Sequence, residues 1–157
     1  NAMEKIKTEL EDYTLLIVGE CYENENEYTD LIKKAGITDN VKCHYSFIPD
    51  NEVGKYFSAA DVVVLPYKTA SQSGIVQIAY HFDTPVIVSN VGGLPEIVDE
   101  GKTGYCVEPS SNAFAKAIKA FYENDNISEM NSNISEYKSQ FSWDAMVKAI
   151  EKLVNVH

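Results

Sequence analysis

Asp61-Val62-Val63-Val64-Leu65 and, one amphipathic segment later, Pro85-Val86-Ile87-Val88 are the stretches that decide the fold. Each is a short apolar run rich in β-branched residues, with little polar alternation. A strand with one wet face alternates, whereas a strand covered on both faces of a parallel sheet reads as a continuous apolar run. Working outward, similar runs recur at Thr14-Leu15-Leu16-Ile17-Val18, from Val41 to Phe47, and at Tyr105-Cys106-Val107. The sequence between them has helical spacing.

Tyr28, Leu31, Ile32 and Ala35 fall at i, i+3, i+4 and i+7, after Glu23, Glu25 and Glu27 and before Lys33, Lys34 and Gly36. Charge order and the terminal glycine both suit a helix of that direction. Asp50 is placed to cap a second helix carrying Val53, Tyr56, Phe57 and Ala60. A third presents Ile75, Ile78, Ala79 and Phe82; a fourth, after Pro109-Ser110-Ser111-Asn112, presents Phe114, Ala117, Ile118, Phe121 and Tyr122. The Asn-rich stretch 124–133 reads as a loop or weak helix. Ser142 is placed to cap a last helix with Met146, Ile150, Leu153 and Val154 facing inward. Alternation of this kind predicts an α/β three-layer sandwich, a parallel sheet with right-handed crossovers.

The 157 residues suit one domain, and 45% hydrophobic with 24% charged residues is ordinary globular composition. Thirteen Lys and Arg against 24 Asp and Glu leave a net charge of -11, which argues against nucleic acid as a partner. A helix N-terminus can still hold a small anion. Cys21, Cys43 and Cys106 have no C-x-x-C spacing, and with three scattered His the sequence predicts no metal site. Free thiols, no long apolar span and no leader pattern point to the cytoplasm. Asn1-Ala2 ahead of Met3 reads as a remnant of tag cleavage, leaving 3–157 as the domain. Residues Met3 to Asp12 form a helical opening with no strand before it, so an upstream strand is expected outside this sequence.

In a parallel sheet the ligand crevice lies beyond the carboxyl ends of the strands. The richest such segment is Tyr67-Lys68-Thr69-Ala70-Ser71-Gln72-Ser73-Gly74, a polar loop feeding a helix whose first turn is small enough to admit an anion; a simple Ser71 or Ser73 cap is the plainer reading. Asn90-Val91-Gly92-Gly93-Leu94-Pro95-Glu96 is a second turn whose glycines permit close backbone approach, to a ligand or within a structural turn. Neither a Walker loop nor a G-x-G-x-x-G is present.

Leu15-Leu16-Ile17-Val18-Gly19, Phe57-Ser58-Ala59-Ala60-Asp61-Val62-Val63-Val64-Leu65-Pro66, Pro85 to Val98 with its Gly92-Gly93-Leu94-Pro95-Glu96, and Gly101-Lys102-Thr103-Gly104 together resemble the donor-binding half of the group 1 (family 4) glycosyltransferases. The blocks stand in that family's order and spacing over nearly the whole chain. The resemblance implies half of a GT-B fold: a Rossmann-like domain that binds a nucleotide-diphosphate sugar, a UDP- or GDP-sugar, while the acceptor enters from an N-terminal domain absent here. It further implies retention at the anomeric carbon, no cofactor and no metal. Polysaccharide or glycolipid synthesis is typical of the family, with peripheral membrane association of the full-length protein.

Residue by residue, the resemblance puts Gly19, with Glu20 beside it, near the diphosphate and the Phe47-Ile48 turn against the base. Ser71, Gln72, Ser73 and Gly74 form the loop and helix start beneath the phosphates. The family's Glu-x7-Glu pair falls on Ala70 and Ile78 or on Ser71 and Ala79, according to register, and neither pair is acidic. Gln77 is the nearest side chain able to hold a ribose or sugar hydroxyl, and Asp83 stands where the family has glycine. No catalytic residue is assigned. The chain alone is expected to be inactive and prone to self-association through surface left by the missing parts. A non-catalytic nucleotide- or sugar-binding relative and half of a nucleotide-sugar epimerase would share the same donor domain. A flavodoxin-like receiver would need an acceptor Asp ending a central strand, whereas Asp61 opens its own.

Overall fold

The computed structural model describes residues 1–10, 12–139, 147, 148 and 150–152. It is an α/β sandwich of parallel strands between helical layers. In chain order the elements are α1 (Ala2–Ile6), β1 (Leu15–Val18), α2 (Glu25–Ala35), β2 (Val41–His44), α3 (Asp50–Ala59), β3 (Val63–Leu65), α4 (Gly74–His81), β4 (Val86–Ser89), β5 (Gly104–Val107), α5 (Ser111–Glu123) and α6 (Ile127–Ser139). Every strand pairing among the described residues is parallel.

The sheet comes in two pieces rather than the single one expected. β1 pairs only with β2, Leu15 opposite Val41, while β3, β4 and β5 form a second sheet with β4 in the middle. Val86, Ile87, Val88 and Ser89 of β4 are all fully buried, as its β-branched run predicts. Leu16 and Val18 of β1 are 39% and 37% exposed, so the same reading fails there. A continuous apolar run is buried only where both faces of the sheet are covered, and the alternating pattern in β1 leaves the Leu16 and Val18 face exposed.

Alternation along β3 and β4 builds two cores. Leu65, Val86 and Val88 pack with Val76, Ala79 and Tyr80 of α4, with Phe57 of α3 against them. On the opposite face Ile87 packs with Phe114, Ile118 and Phe121 of α5 and Ile6 of α1, flanked by Val62 and Val64. α1 is therefore part of the core, and Ala2 is its first residue and packs against this second cluster.

Local chemistry explains most element ends. Asn24 caps α2 by accepting from Asn26 N–H, and Gly36 closes it at φ 66°, a left-handed turn that suits glycine. Ser110 caps α5 through Ala113 N–H at 3.2 Å. Asp50 is not the cap of α3; Pro49 holds that position and Asp50 begins the helix, favourable to the dipole.

Two helical faces differ from the sequence reading. α4 buries Val76, Ala79 and Tyr80, one position off the expected stripe, leaving Ile75 38% exposed. Almost every residue of this helix is apolar, so periodicity alone does not select its inner face. The Asn-rich stretch is helical: Met130 and Ile134, four residues apart and fully buried, anchor α6. α6 is also tied to the end of α4, where Lys138 Nζ lies 2.7 Å from Asp83 Oδ1 and donates to His81 O at 3.1 Å. Asp83 has φ 56°, the conformation that suits the glycine the family carries there. Ser142, Met146, Leu153 and Val154 lie outside the described residues; Ile150, expected to face inward, is 52% exposed.

Candidate donor-binding site

The loop between β3 and α4 is anchored from below and from the side. Below, the Tyr67 and Ser73 hydroxyls are 3.2 Å apart, and Ser73 is 7% exposed. Ser73 stands at the N-cap of α4 but makes no side-chain cap bond, so the plain capping reading fails. Its hydroxyl is engaged with Tyr67 instead. The first turn of α4 thus opens on Gly74 and Ile75, both exposed, with helical N–H groups that lack a partner one turn back. A Cβ built on Gly74 meets nothing within 4 Å. This end is open, carries the positive end of the helix dipole, and has Lys68 six residues away in its own loop.

At the side, the turn after β4 locks onto the loop. Gly93 N–H donates to Ser71 O at 2.9 Å, and a Cβ on Gly92, whose φ is 56°, would sit 1.6 Å from Ala70 O. The two glycines therefore serve backbone-to-backbone packing of two loops. Their close approach is to Ala70 and Ser71, which fixes the position of the entrance to α4. Pro95 lies within the short 3-10 turn Leu94–Glu96 that completes this element.

The remaining expected residues follow β1 and β2. Gly19 ends β1 at φ 132° and donates to His44 O at 3.1 Å, which sets the two strand ends side by side. Glu20 is exposed and accepts from Tyr22 Oη at 2.8 Å; that bond raises the Tyr22 pKa. Phe47 lies beyond the end of β2, not within it, and is 66% exposed, while Ile48 is half-buried. An exposed phenyl ring past a strand's carboxyl end is a flat apolar surface of the kind a base stacks on.

Gln77 is exposed on α4. It lies a turn further along α4 and lines an open hollow of about 250 Å³ with Tyr80, His81 and Lys138. Tyr80 beneath it is a structural anchor: its hydroxyl sits 2.7 Å from Thr103 Oγ1, and burial pushes its pKa up to about 12. Ile78 and Ala79, candidate carboxylate positions of the family pattern, point into the core and its margin.

Two features of the site were not visible in the sequence. Tyr67 holds Ser73 through a contact six residues long that follows no helical or strand period. Ser89 is fully buried at the carboxyl end of β4, its hydroxyl without a hydrogen-bond partner. Among the described residues no group of three or more His, Cys, Asp and Glu is arranged to hold a metal ion. The three cysteines are free, with Cys43 exposed.

An open helix N-terminus beyond the carboxyl end of a parallel strand agrees with the sequence match to the glycosyl transferases group 1 family, which spans residues 1–141. The chain belongs to the group 1 glycosyltransferases. It is 34% identical over 109 residues to the D-inositol 3-phosphate glycosyltransferase of Corynebacterium glutamicum, covering 68% of this chain and 26% of that protein. It thus spans about a quarter of that relative's length. In fold it matches the C-terminal domain of a group 1 glycosyltransferase from Francisella tularensis, with a TM-score of 0.80 at 21% identity over 90% of this chain and 76% of the other. It also matches Anabaena HepE, solved with UDP, with a TM-score of 0.72 at 18% identity over 99% of this chain and 44% of the other. The architecture of this glycosyltransferase chain is therefore half of a GT-B fold.

Proposed function

We propose that this chain is the donor-binding domain of a retaining hexosyltransferase that moves a sugar from a UDP- or GDP-sugar to a glycan or lipid-linked acceptor. The observation that carries the reading is the entrance to α4. Ser73 leaves the helix end uncapped by its side chain, Gly74 leaves it unobstructed, and the Gly93-to-Ser71 bond holds it still. The diphosphate of the donor rests on the N–H groups of that first turn, and Phe47 and Ile48 lie against the base. Gly19 and Glu20 border the site, and Gln77 meets the ribose or sugar hydroxyls by reaching over the first turn. The UDP carried by the Anabaena relative supports a nucleotide as the ligand.

The chemistry asked of this half is electrostatic. As the bond from the anomeric carbon to the diphosphate breaks, negative charge grows on the leaving oxygen. Fixed N–H dipoles stabilise it without reorganisation and without a metal. The acceptor and the remaining catalytic groups come from a separate N-terminal domain, so the chain by itself binds donor without transferring sugar. The whole protein acts in the cytoplasm, peripherally at the membrane where its acceptor is lipid-linked, and serves polysaccharide assembly. A second reading, a binding protein that has lost transfer, is favoured by one observation: Ala70, Ser71, Ile78 and Ala79 supply no carboxylate in either register. Donor binding without turnover in the full-length protein would select it.

Calorimetric titration of UDP and GDP against this chain and its Gly74→Asp variant tests the assignment. Because a Cβ at 74 meets nothing within 4 Å, the variant folds. A carboxylate at the helix entrance is expected to weaken binding at least tenfold, about 1.4 kcal/mol. Equal affinity of the two would place the diphosphate elsewhere, and a folded full-length protein that binds neither nucleotide would end the reading.

A further inference from the structure

Among the described residues β5 ends its sheet, with β4 as its one partner strand. Half of its peptide groups therefore face away from any strand, and the pairing shows which. Val86 N–H donates to Thr103 O and Asn90 N–H to Val107 O, so the odd-numbered residues of β5 turn their peptide groups toward β4. Gly104 and Cys106, between them, turn theirs outward. An outward row of this kind is a template on which another chain adds a strand, unless something occupies it.

Both outward residues are engaged from within the chain. The turn before β5 folds back beside it: Gly101 N–H donates to Gly104 O at 2.8 Å, and Glu100 forms a parallel bridge with Gly104. Glu100 then extends this cover with its side chain. Its Oε2 accepts from Cys106 N–H at 2.8 Å, in the place that a carbonyl of an added strand would take. Burial raises the Cys106 thiol pKa, and the Glu100 and Glu108 carboxylates raise it further, which puts both charges near this edge.

The turn that carries Glu100 is held in place by buried bonds. Thr103 is 1% exposed, with its hydroxyl 2.7 Å from Tyr80 Oη and accepting from Asp99 N–H at 2.9 Å. Thr103 N–H donates to Asp99 O at 2.9 Å, and Gly101 takes the left-handed φ of 75° that the reversal requires. Glu100 itself is exposed and, among the described residues, joins no ion pair. Its carboxylate is spent on an outward backbone donor. We propose that Glu100 guards the free edge of β5, keeping Cys106 N–H occupied so that a second copy of this chain does not pair with it. A second copy is the partner excluded because edge-to-edge pairing is isologous, the same strand facing itself across a two-fold axis. Each copy would also bring its own Glu100 and Glu108 to that axis.

The test compares the parent chain with Glu100→Ala and Glu100→Gln in reducing buffer, by residue-resolved amide exchange and by sedimentation velocity over a concentration series. In dilute Glu100→Ala the Cys106 amide exchanges about tenfold or more faster than in the parent. The amides of Tyr105 and Val107, which face β4, keep their rates. At rising concentration this variant associates more strongly than the parent, and its Cys106 amide slows again as the second copy takes up the donor. Glu100→Gln retains an acceptor oxygen, so its Cys106 amide stays slow and it associates less than Glu100→Ala. An unchanged Cys106 rate in Glu100→Ala would overturn the proposal, as would association no stronger than the parent's or association that leaves Cys106 fast. Equal quickening of Tyr105 and Val107 would make Glu100 a support of the strand rather than a guard of its edge. Association of Glu100→Gln as strong as that of Glu100→Ala would show that charge, not the hydrogen bond, keeps copies apart, and would overturn it too. Nucleotide binding enters no readout, so this inference and the donor assignment fail separately.

Discussion

Residue identity matters most where two backbones touch. Gly92 has both a left-handed φ of 56° and no room for a side chain, since a Cβ would lie 1.6 Å from Ala70 O. Gly92→Ala therefore combines backbone strain with a clash that no rotamer relieves, and is expected to cost about 2–4 kcal/mol. Urea unfolding would measure it, and a loss under about 0.5 kcal/mol, the size of an ordinary surface change, would show that the two loops are not locked together. Nucleotide affinity should fall with it, because the same contact fixes the entrance to α4. Gly74, by contrast, has free space around it. The two glycines look equally permissive in sequence; one is there for packing and the other leaves a helix end open.

Among the elements, α6 shows how few residues decide a helix. Its sequence is mostly Ser, Asn and Glu, and such residues favour caps and turns over helix interiors. Met130 and Ile134 outweigh this by full burial, Met130 against the α5 cluster and Ile134 against the α4 cluster. Met130→Ala is expected to destabilise the chain by about 2–5 kcal/mol and to loosen α6 before the rest. Loss of helical signal no larger than for an exposed site such as Ser132→Ala would refute this. The Tyr80-to-Thr103 bond at 2.7 Å and the Lys138-to-Asp83 contact give α4 and its C-terminal turn further support. β1 is the opposite case, a strand whose sequence asks for burial on both faces while Leu16 and Val18 on one of them stay exposed.

For the whole molecule, stability is unequally shared. Both hydrophobic clusters are built on β3, β4 and β5, whereas in residues 15–44 the buried hydrophobics are Ala35 and Ile37. Local opening follows buried apolar contact, so the β1–β2 piece opens at lower free energy than the three-stranded piece. Native-state exchange at rising urea should show the β2-bonded amides of Leu15 and Ile17 exchanging well before those of Val86 and Val88. A common isotherm for all four would mean the chain unfolds as one unit.

The sequence by itself determined the class of fold, the order of its elements and the family. Those features rest on local pattern: β-branched runs, Gly36 as a helix stop, the cap region around Ser110, and blocks such as Gly92-Gly93-Leu94-Pro95-Glu96 that keep their order and spacing. It also marked the loop from Ser71 to Gly74. Only the tertiary structure decided which way α4 faces, because an almost wholly apolar helix has no preferred side until something packs on it. The same holds for Ser73, whose hydroxyl turned from its own helix to Tyr67. The divided sheet is the deepest case. Burial of a strand is a property of its neighbours, so Leu16 and Val18 lie exposed in β1 while the like-looking Val86 and Val88 are enclosed in β4.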